Sequence, residues 1–241
     1  MLKTFMGSLL SVIFPKTCLA CHRSLKDNDI RDFICPDCWS SLKKNVPPLC
    51  TICGRQIRKV QIYKSVCPDC QRQHFSFDRA FSPCVYEGIT RELIHKFKYQ
   101  NRDYLSRTLG RIIIDFIRQE HITLSFCDLV IPVPLHNARL REREFNQAEL
   151  LARQIAREFS LPVSTSNLWR KKYRKPQVEL KEEKRKENIQ GCFGLRNPAE
   201  VRGKNIILVD DVLTTGATCS EAASVLKAAG AFSVWVLTLA N

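Results

Sequence analysis

Eight cysteines near the N-terminus fall into four C-x-x-C pairs, a spacing typical of metal-binding sites. Two residues between cysteines allow a tight turn that points both sulfur atoms at one ion, and two such turns complete a tetrahedral thiolate site for zinc. The second half of this segment repeats the first, because every cysteine recurs 32 positions later. The eight predicted zinc ligands are Cys18, Cys21, Cys35, Cys38, Cys50, Cys53, Cys67 and Cys70.

Other uses of paired cysteines fit this segment less well. Disulfides would suit a small secreted protein, and a redox C-x-x-C would need a thioredoxin-like strand and helix around it. Sequential pairing, first pair with second and third with fourth, is the simplest arrangement given the repeat, and cross-bracing is the alternative. Two structural zinc ions would then supply most of the folding free energy of a segment with few aliphatic side chains. The scattered cysteines are predicted to be buried as small apolar residues, namely Cys84, Cys127, Cys192 and Cys219.

A second group of residues that could bind a ligand lies near the C-terminus, where two aspartates follow an apolar run. Asp210 and Asp211 can accept hydrogen bonds from ribose hydroxyls while a divalent ion screens their charges. The loop that follows leads straight into a helix, whose free N–H groups form an anion pocket suited to a 5′-phosphate. Thr218 and Glu221 match a capping box, which predicts that the helix begins there. The loop comprises Thr214, Thr215, Gly216, Ala217 and Thr218.

The elements that must position these residues alternate between strands and helices after Cys70. The apolar runs Asp128–Val133 and Ile206–Val209 are typical of strands buried in a parallel sheet. Further strands are predicted at 80–86 and 232–239, and helices around 93–97, 105–116, 145–159 and 220–229. This alternation predicts an α/β fold with a parallel sheet covered by helices on both faces. Ligands in such folds bind beyond the carboxyl ends of the strands.

The charge and the N-terminus restrict the class of protein. A formal net charge of +14 and a pI near 9.4 favour polyanionic partners, either phosphate-rich small molecules or nucleic acid. No stretch reaches the roughly 20 apolar residues of a membrane span. Residues 1–17 are predicted to form a short helix that packs on the protein. A signal peptide is disfavoured because Pro15-Lys16-Thr17 lacks a small-residue cleavage pattern, so we expect a cytoplasmic protein.

Taken together, these residues resemble known families. The run Ile206–Thr218 resembles the motif with which type I phosphoribosyltransferases bind phosphoribosyl pyrophosphate (PRPP). The wider pattern resembles the competence protein F (ComF) family, which has an N-terminal double zinc ribbon. The segments that carry this resemblance are the paired cysteines, Val130–His136, Arg139–Gln147, Gln177 with Leu180, Arg185 with Asn188, and Gly191-Cys192-Phe193.

The resemblance implies a domain organisation and a set of roles. It implies an N-terminal helix over 1–17, a double zinc ribbon over 18–72 and a phosphoribosyltransferase-like domain over 75–241. PRPP, with Mg²⁺, would be bound by Asp210 and Asp211 at the ribose and by Thr214, Thr215, Gly216, Ala217 and Thr218 at the 5′-phosphate. Pro134, Leu135 and His136 would form the pyrophosphate loop, and the basic stretch Arg170–Arg185 would belong to a flexible loop that includes Arg174, Gln177, Arg185 and Asn188. Two positions depart from the family: Glu144 and Arg174 stand where Gly and Thr are common.

Membership of this family would imply a role in DNA uptake, with PRPP as ligand or signal. Single-stranded DNA is an expected partner, because cations in Lys96–Arg111 and Arg170–Arg185 are interleaved with aromatic residues, as base stacking beside phosphate binding requires. A solvated basic face with aromatic residues in the core explains these runs equally well. The aromatic residues are Phe97, Tyr99, Tyr104, Trp169 and Tyr173. A protein of the uptake machinery is a further expected partner.

An active phosphoribosyltransferase in nucleotide salvage is the alternative function. No cluster of residues identifies an acceptor or a catalytic group, so the sequence leaves enzymatic activity undecided. His95 and His136 are candidate acid–base groups, although surface or loop positions explain them better. A PRPP-sensing regulator of duplex DNA is a weaker idea, because nothing resembles a helix-turn-helix.

Overall fold

Four parallel strands form the main sheet of the computed structural model, which describes residues 17–25, 33–57, 65–100, 102–171 and 190–241. Their spatial order is β1-β6-β5-β2, and two short strands, β3 and β4, pair antiparallel as a separate sheet. The strands are β1 (Arg79–Phe81), β2 (Leu129–Pro132), β3 (Leu168–Arg170), β4 (Phe193–Leu195), β5 (Asn205–Val209) and β6 (Ser233–Leu237). In the register of the main sheet, Val209 lies beside Pro132 on one side and Leu237 on the other. The carboxyl ends of β2, β5 and β6 therefore meet at one edge.

Seven α-helices and a 3₁₀ turn at Pro198–Glu200 accompany these strands within the described residues. The helices are α1 (Pro36–Ser40), α2 (Pro68–Arg72), α3 (Gly88–Tyr99), α4 (Leu105–Gln119), α5 (Asn137–Arg143), α6 (Gln147–Glu158) and α7 (Ala217–Ala228). The helix expected over 1–17 falls, except for Thr17, outside the described residues, as do the flexible-loop residues Arg174, Gln177, Arg185 and Asn188. No helix in the described ranges is long and apolar enough to cross a lipid bilayer.

Helices cover both faces of the sheet, as the alternating pattern predicts. One buried cluster joins α3, α4 and α6 to the sheet through side chains such as Phe97, Ile113 and Leu151. The other joins α7 to the opposite face through Leu226, Ile206 and Leu208. The two cysteine modules divide between these clusters. The cysteines of the first module belong to the cluster with α3 and α4, and those of the second to the cluster with α7.

The first strand and the last helix have bounds that differ from the prediction. The strand expected over 80–86 ends at Phe81, because Asn45 donates its side-chain N–H groups to the carbonyls of Ser82 and Cys84 and thereby pairs this segment with the chain between the two cysteine modules. The helix expected from position 220 begins at Ala217. The burial of all four scattered cysteines is confirmed.

Candidate functional site

The paired cysteines form two separate groups of four sulfur atoms. Cys18, Cys21, Cys35 and Cys38 make one group, Cys50, Cys53, Cys67 and Cys70 make the other, and the sulfur atoms of each lie within 4.8 Å of one another. The pairs therefore combine sequentially and are not cross-braced. Sulfur atoms bound to a tetrahedral zinc at ~2.3 Å stand about 3.8 Å apart. The separations of 3.7 Å between Cys21 and Cys35 and 3.6 Å between Cys53 and Cys67 fit a structural zinc in each group.

The same local structure builds both cysteine groups. The N–H of Cys35 donates to the sulfur of Cys18 at 3.4 Å, and the N–H of Cys67 donates to that of Cys50 at 3.3 Å. Such donors stabilise a thiolate, the form that binds metal. In the second group a hydrogen bond with Cys53, together with backbone N–H groups, lowers the pKa of the Cys50 thiol to about 4.

The two aspartates lie directly beyond β5, at the edge where the carboxyl ends of the strands meet. Asp210 is positioned by its N–H, which donates to the carbonyl of Leu237 at 3.0 Å. Its carboxylate accepts the N–H of Asp211 at 2.8 Å and faces the thiol of Cys219 at 3.7 Å. The Asp210 carboxylate is thus held at the sheet edge beside the first turn of α7, which contains Cys219.

A lysine that the sequence did not single out completes this pair. The ammonium of Lys98, on α3, lies 2.8 Å from a carboxylate oxygen of Asp211, with side-chain exposures of 17% and 12%. Burial alone would lower the pKa of Lys98, but the charge of Asp211 raises it, with a net upward shift. Burial and the charge of Asp211 raise the pKa of Asp210 to about 7. The site thus holds one carboxylate that is paired and one that titrates near neutral pH.

The loop after the aspartates turns through Gly216, which begins α7. Gly216 has a left-handed backbone (φ +75°), and a Cβ there would lie 2.5 Å from the ring of Phe75. The N-cap residue Gly216 has no side chain to cap the helix, but the Oγ1 atom of Thr215 accepts the N–H of Ala217 at 3.4 Å. The capping box predicted for Thr218 and Glu221 is wrong, because Thr218 lies inside the helix and the Glu221 carboxylate accepts the N–H of Gly191 at 2.6 Å. The uncapped N–H groups of the first turn are suited to an anion.

The predicted pyrophosphate loop follows β2, which is the neighbour of β5 in the sheet. Pro134, Leu135 and His136 therefore lie at the same edge as the aspartates. The Nδ1 atom of His136 accepts the N–H of Ala138 at 3.2 Å and so caps α5. This role agrees with the interpretation of His136 as a loop residue. At the other end of α5, Glu144 has a left-handed backbone (φ 64°) at the position where the family commonly has Gly.

Arg170, which begins the basic stretch predicted to belong to the flexible loop, lies close enough to Asp210 for their charges to interact, and Arg139 lies near Arg170. Arg170 ends β3, and its Nε atom is buried with no hydrogen-bond partner. Burial lowers the pKa of Arg170, the charge of Asp210 opposes that shift, and the charge of Arg139 on α5 adds to it. Two guanidinium groups close enough to repel, one of them desolvated, are arranged to bind an anion.

The second cysteine module borders the loop over 214–218 directly. A cleft of about 260 Å³ separates them, lined by Arg55, Arg72, Gln73, Phe75, Thr214 and Thr215 among others. Across it, Arg55 donates from Nη2 to the carbonyl oxygen of Thr214. The same guanidinium contacts Asp69 through Nη1 at 3.0 Å.

The aromatic residues expected to stack on bases divide into two kinds. Phe97 is fully buried in the core, and Lys96 is buried with its ammonium on the carbonyl of Leu19, so neither is available to a nucleic acid. Tyr99, Tyr104 and Trp169 are exposed. His95 stacks near Tyr99, with 4.8 Å between ring centroids. Tyr173 lies outside the described residues.

Comparisons with known proteins match both parts of the chain. The Double zinc ribbon domain model matches residues 9–72 and the Phosphoribosyl transferase domain model matches residues 146–241. The chain is 34% identical to Competence protein F of Haemophilus influenzae, covering 62% of this chain and 66% of that protein. It is 32% identical to DNA utilization protein YhgH of Escherichia coli K12 (60% and 65%) and 30% identical to Competence protein ComFC of Bacillus subtilis (64% and 61%).

These alignments cover slightly less than two thirds of the relatives' own lengths. Among solved structures, a glutamine PRPP amidotransferase from B. subtilis has 18% identity and a TM-score of 0.36, covering 58% of this chain and 26% of that one. A score this low supports no inference beyond those already drawn from the sheet and the family models.

Proposed function

Because this chain belongs to the competence protein F family, with a double zinc ribbon ahead of a phosphoribosyltransferase-type domain, we propose that it binds PRPP with Mg²⁺ and acts in DNA uptake. The names of its relatives, a competence protein and a DNA utilization protein, support the biological part of this proposal. In the finer form of the proposal, the protein handles single-stranded DNA in the cytoplasm during natural transformation.

The PRPP proposal depends on one observation, namely that hydrogen-bond acceptors and phosphate-binding donors lie at the same edge of the sheet. Asp210 and Asp211 offer acceptors for ribose hydroxyls, and the first turn of α7 offers N–H donors to a phosphate a few residues later. A phosphoribosyl group carries both hydroxyls and a 5′-phosphate. Arg170, which lies near Asp210, and Arg139, which lies near Arg170, would then neutralise the pyrophosphate.

Mg²⁺ fits the oxygen donors at this edge. The two carboxylates are the described residues that would hold the ion, directly or through water, and Mg²⁺ commonly binds through one or two carboxylates together with substrate phosphates. The ion would neutralise charge on the pyrophosphate. Its binding requires that Asp210 lose its proton, because a protonated carboxyl is a poor ligand for a hard cation.

Exposed aromatic residues support the single-stranded DNA part of the proposal. Trp169 is 38% exposed and lies beside Lys171, whose ammonium is 5.8 Å from the centroid of its ring. Tyr99 contacts the guanidinium of Arg143 in the same way, at 4.9 Å. Aromatic faces with cations beside them bind bases and phosphates of single strands without sequence preference.

An active Mg²⁺-dependent phosphoribosyltransferase with an unknown acceptor is the second candidate. The feature that favours it is Asp210, because a carboxyl with a pKa near 7 can exchange a proton with a bound acceptor at physiological pH. A PRPP sensor needs no such exchange. Release of pyrophosphate on addition of bases, amides or amines distinguishes the two functions.

Calorimetric titration with PRPP and Mg²⁺ tests the proposal. The wild type should show saturable binding, and the double variant Asp210→Asn/Asp211→Asn should lose it. Asp128→Asn removes a like charge at the opposite edge of the sheet, where Asp128 accepts the N–H of Asn205, and should retain binding. If the folded, zinc-loaded wild type binds no PRPP, the proposal fails and the basic surface becomes the leading site.

A further inference from the structure

The two cysteine modules carry the same arginine–aspartate pair. In the first module Arg23 contacts Asp37 at 2.8 Å, and in the second Arg55 contacts Asp69 at 3.0 Å. Both residues of the second pair follow their counterparts by 32 positions, the offset of the cysteine repeat. The repeat therefore places an equivalent arginine in each module, with different neighbours.

Backbone hydrogen bonds attach each arginine to its own cysteine turn. The N–H of Cys18 donates to the carbonyl of Arg23 at 2.8 Å, and the N–H of Cys50 donates to that of Arg55 at 2.7 Å. These bonds close the turns that present the cysteine sulfurs. The position of either guanidinium thus depends on an intact cysteine site beneath it.

The two modules differ in what the arginine contacts besides its aspartate. Arg55 reaches across the cleft and donates to the carbonyl of Thr214, in the loop that we propose for the 5′-phosphate. The Phe75 ring, a few residues after the second module, packs against Gly216 of the same loop. Arg23 lies in the first module, which belongs to the buried cluster on the other face of the sheet.

We propose that Arg55 positions the phosphate loop, so that the second zinc ribbon is part of the PRPP site and the first is not. The hydrogen bond to Thr214 restrains the loop before any ligand arrives, which lowers the ordering cost of phosphate binding. This inference rests on the proposed function for its ligand, but the restraint of the loop by Arg55 does not.

The matched substitutions Arg55→Gln and Arg23→Gln test the proposal, each in the full zinc-loaded chain. Amide hydrogen exchange of residues 213–218, measured without ligand, should be about fivefold faster in Arg55→Gln than in wild type and unchanged in Arg23→Gln. PRPP affinity should fall about tenfold in the first variant and stay unchanged in the second. Zinc content should remain two ions per chain in both variants. Arg55→Lys, which keeps the charge and one donor, should recover part of the affinity.

The two readouts separate failure of this inference from failure of the proposed function. Equal exchange in all three proteins would overturn the role of Arg55, whatever binds to the loop. Faster exchange in Arg55→Gln, with no PRPP binding even in wild type, would keep the restraint and reject PRPP as the ligand. An equal loss of affinity in Arg23→Gln would mean that the arginines act only through ribbon folding, which also overturns the proposal.

Discussion

Lys98 and Asp211 form a largely buried ion pair, 2.8 Å from nitrogen to oxygen, that links helix α3 to the end of the central strand β5. The same helix carries Lys96, whose ammonium binds the carbonyl of Leu19 in the first cysteine module. Helix α3 thus connects the first zinc ribbon to the proposed ribose site. Among the described residues Asp211 has a salt bridge and Asp210 has none, so the two aspartates have different surroundings.

Substitution Lys98→Met should destabilise the protein by about 2–3 kcal/mol at neutral pH, since it leaves Asp211 buried without its partner. It should also raise the pKa of Asp210 further, because the charge of Lys98 now lowers it. Urea denaturation measures the first effect. Lys43→Gln, which breaks the exposed pair with Glu87, serves as the control and should cost no more than about 0.5 kcal/mol. If both variants lost the same free energy of unfolding, the result would contradict a buried, functional pair of Lys98 and Asp211.

The carboxyl of Asp210 should titrate with a midpoint near pH 7, as burial and the charge of Asp211 require. Carbon-13 NMR of the carboxyl groups checks this, with the signal assigned by its absence in Asp210→Asn. A protein in which every aspartate titrates below pH 5 would rule out the electrostatic account. PRPP–Mg²⁺ affinity should accordingly rise between pH 6 and 8, when Asp210 becomes charged.

The raised pKa of Asp210 also predicts how the stability of the protein changes with pH. Asp210 has a higher pKa folded than unfolded, so the folded state binds the extra proton between about pH 4 and 7. Its stabilising contribution is complete below pH 4 and is lost as the pH rises through 7. At pH 8 the Asp210→Asn variant should therefore unfold about 1–3 kcal/mol less readily than wild type, while losing PRPP. Thermal or urea unfolding at pH 5 and pH 8 measures the difference, which should be small at pH 5.

Local patterns predicted the two groups of cysteines, because the C-x-x-C spacing brings sulfur atoms close together. The role of the Asp-Asp pair stays a prediction. Long-range contacts account for what the local patterns missed. Arg55 and Thr214 are 159 positions apart, and nothing in either segment encodes their contact. The capping box failed for the same reason, because the Glu221 carboxylate accepts the distant N–H of Gly191 in place of the local one.

The two zinc sites should be separable by single substitutions. Wild type should contain two zinc ions per chain, and Cys21→Ser or Cys67→Ser should each reduce the content to one, as elemental analysis of purified protein can show. Removal of either ion should expose its module to proteolysis, because metal binding contributes about 10–16 kcal/mol to folding in isolated zinc fingers. Loss of both ions from either single variant would indicate that the modules fold only together.

Trp169 should contribute to single-stranded DNA binding through stacking, and Trp169→Ala should weaken binding to an oligothymidylate by about 5- to 30-fold, the effect of losing one base–aromatic contact. Phe232 is an even more exposed aromatic residue, at 75%, but it precedes β6 and so lies at the opposite edge of the sheet. Phe232→Ala should leave the affinity unchanged.

Fluorescence anisotropy at several salt concentrations measures both variants, and affinity should fall steeply with salt in all proteins. Because Asp210→Asn removes a negative charge and no stacking surface, this variant should retain DNA binding while losing PRPP. Equal weakening by the two aromatic substitutions would instead mean that DNA contacts the basic surface as a whole and that no stacking site exists at Trp169.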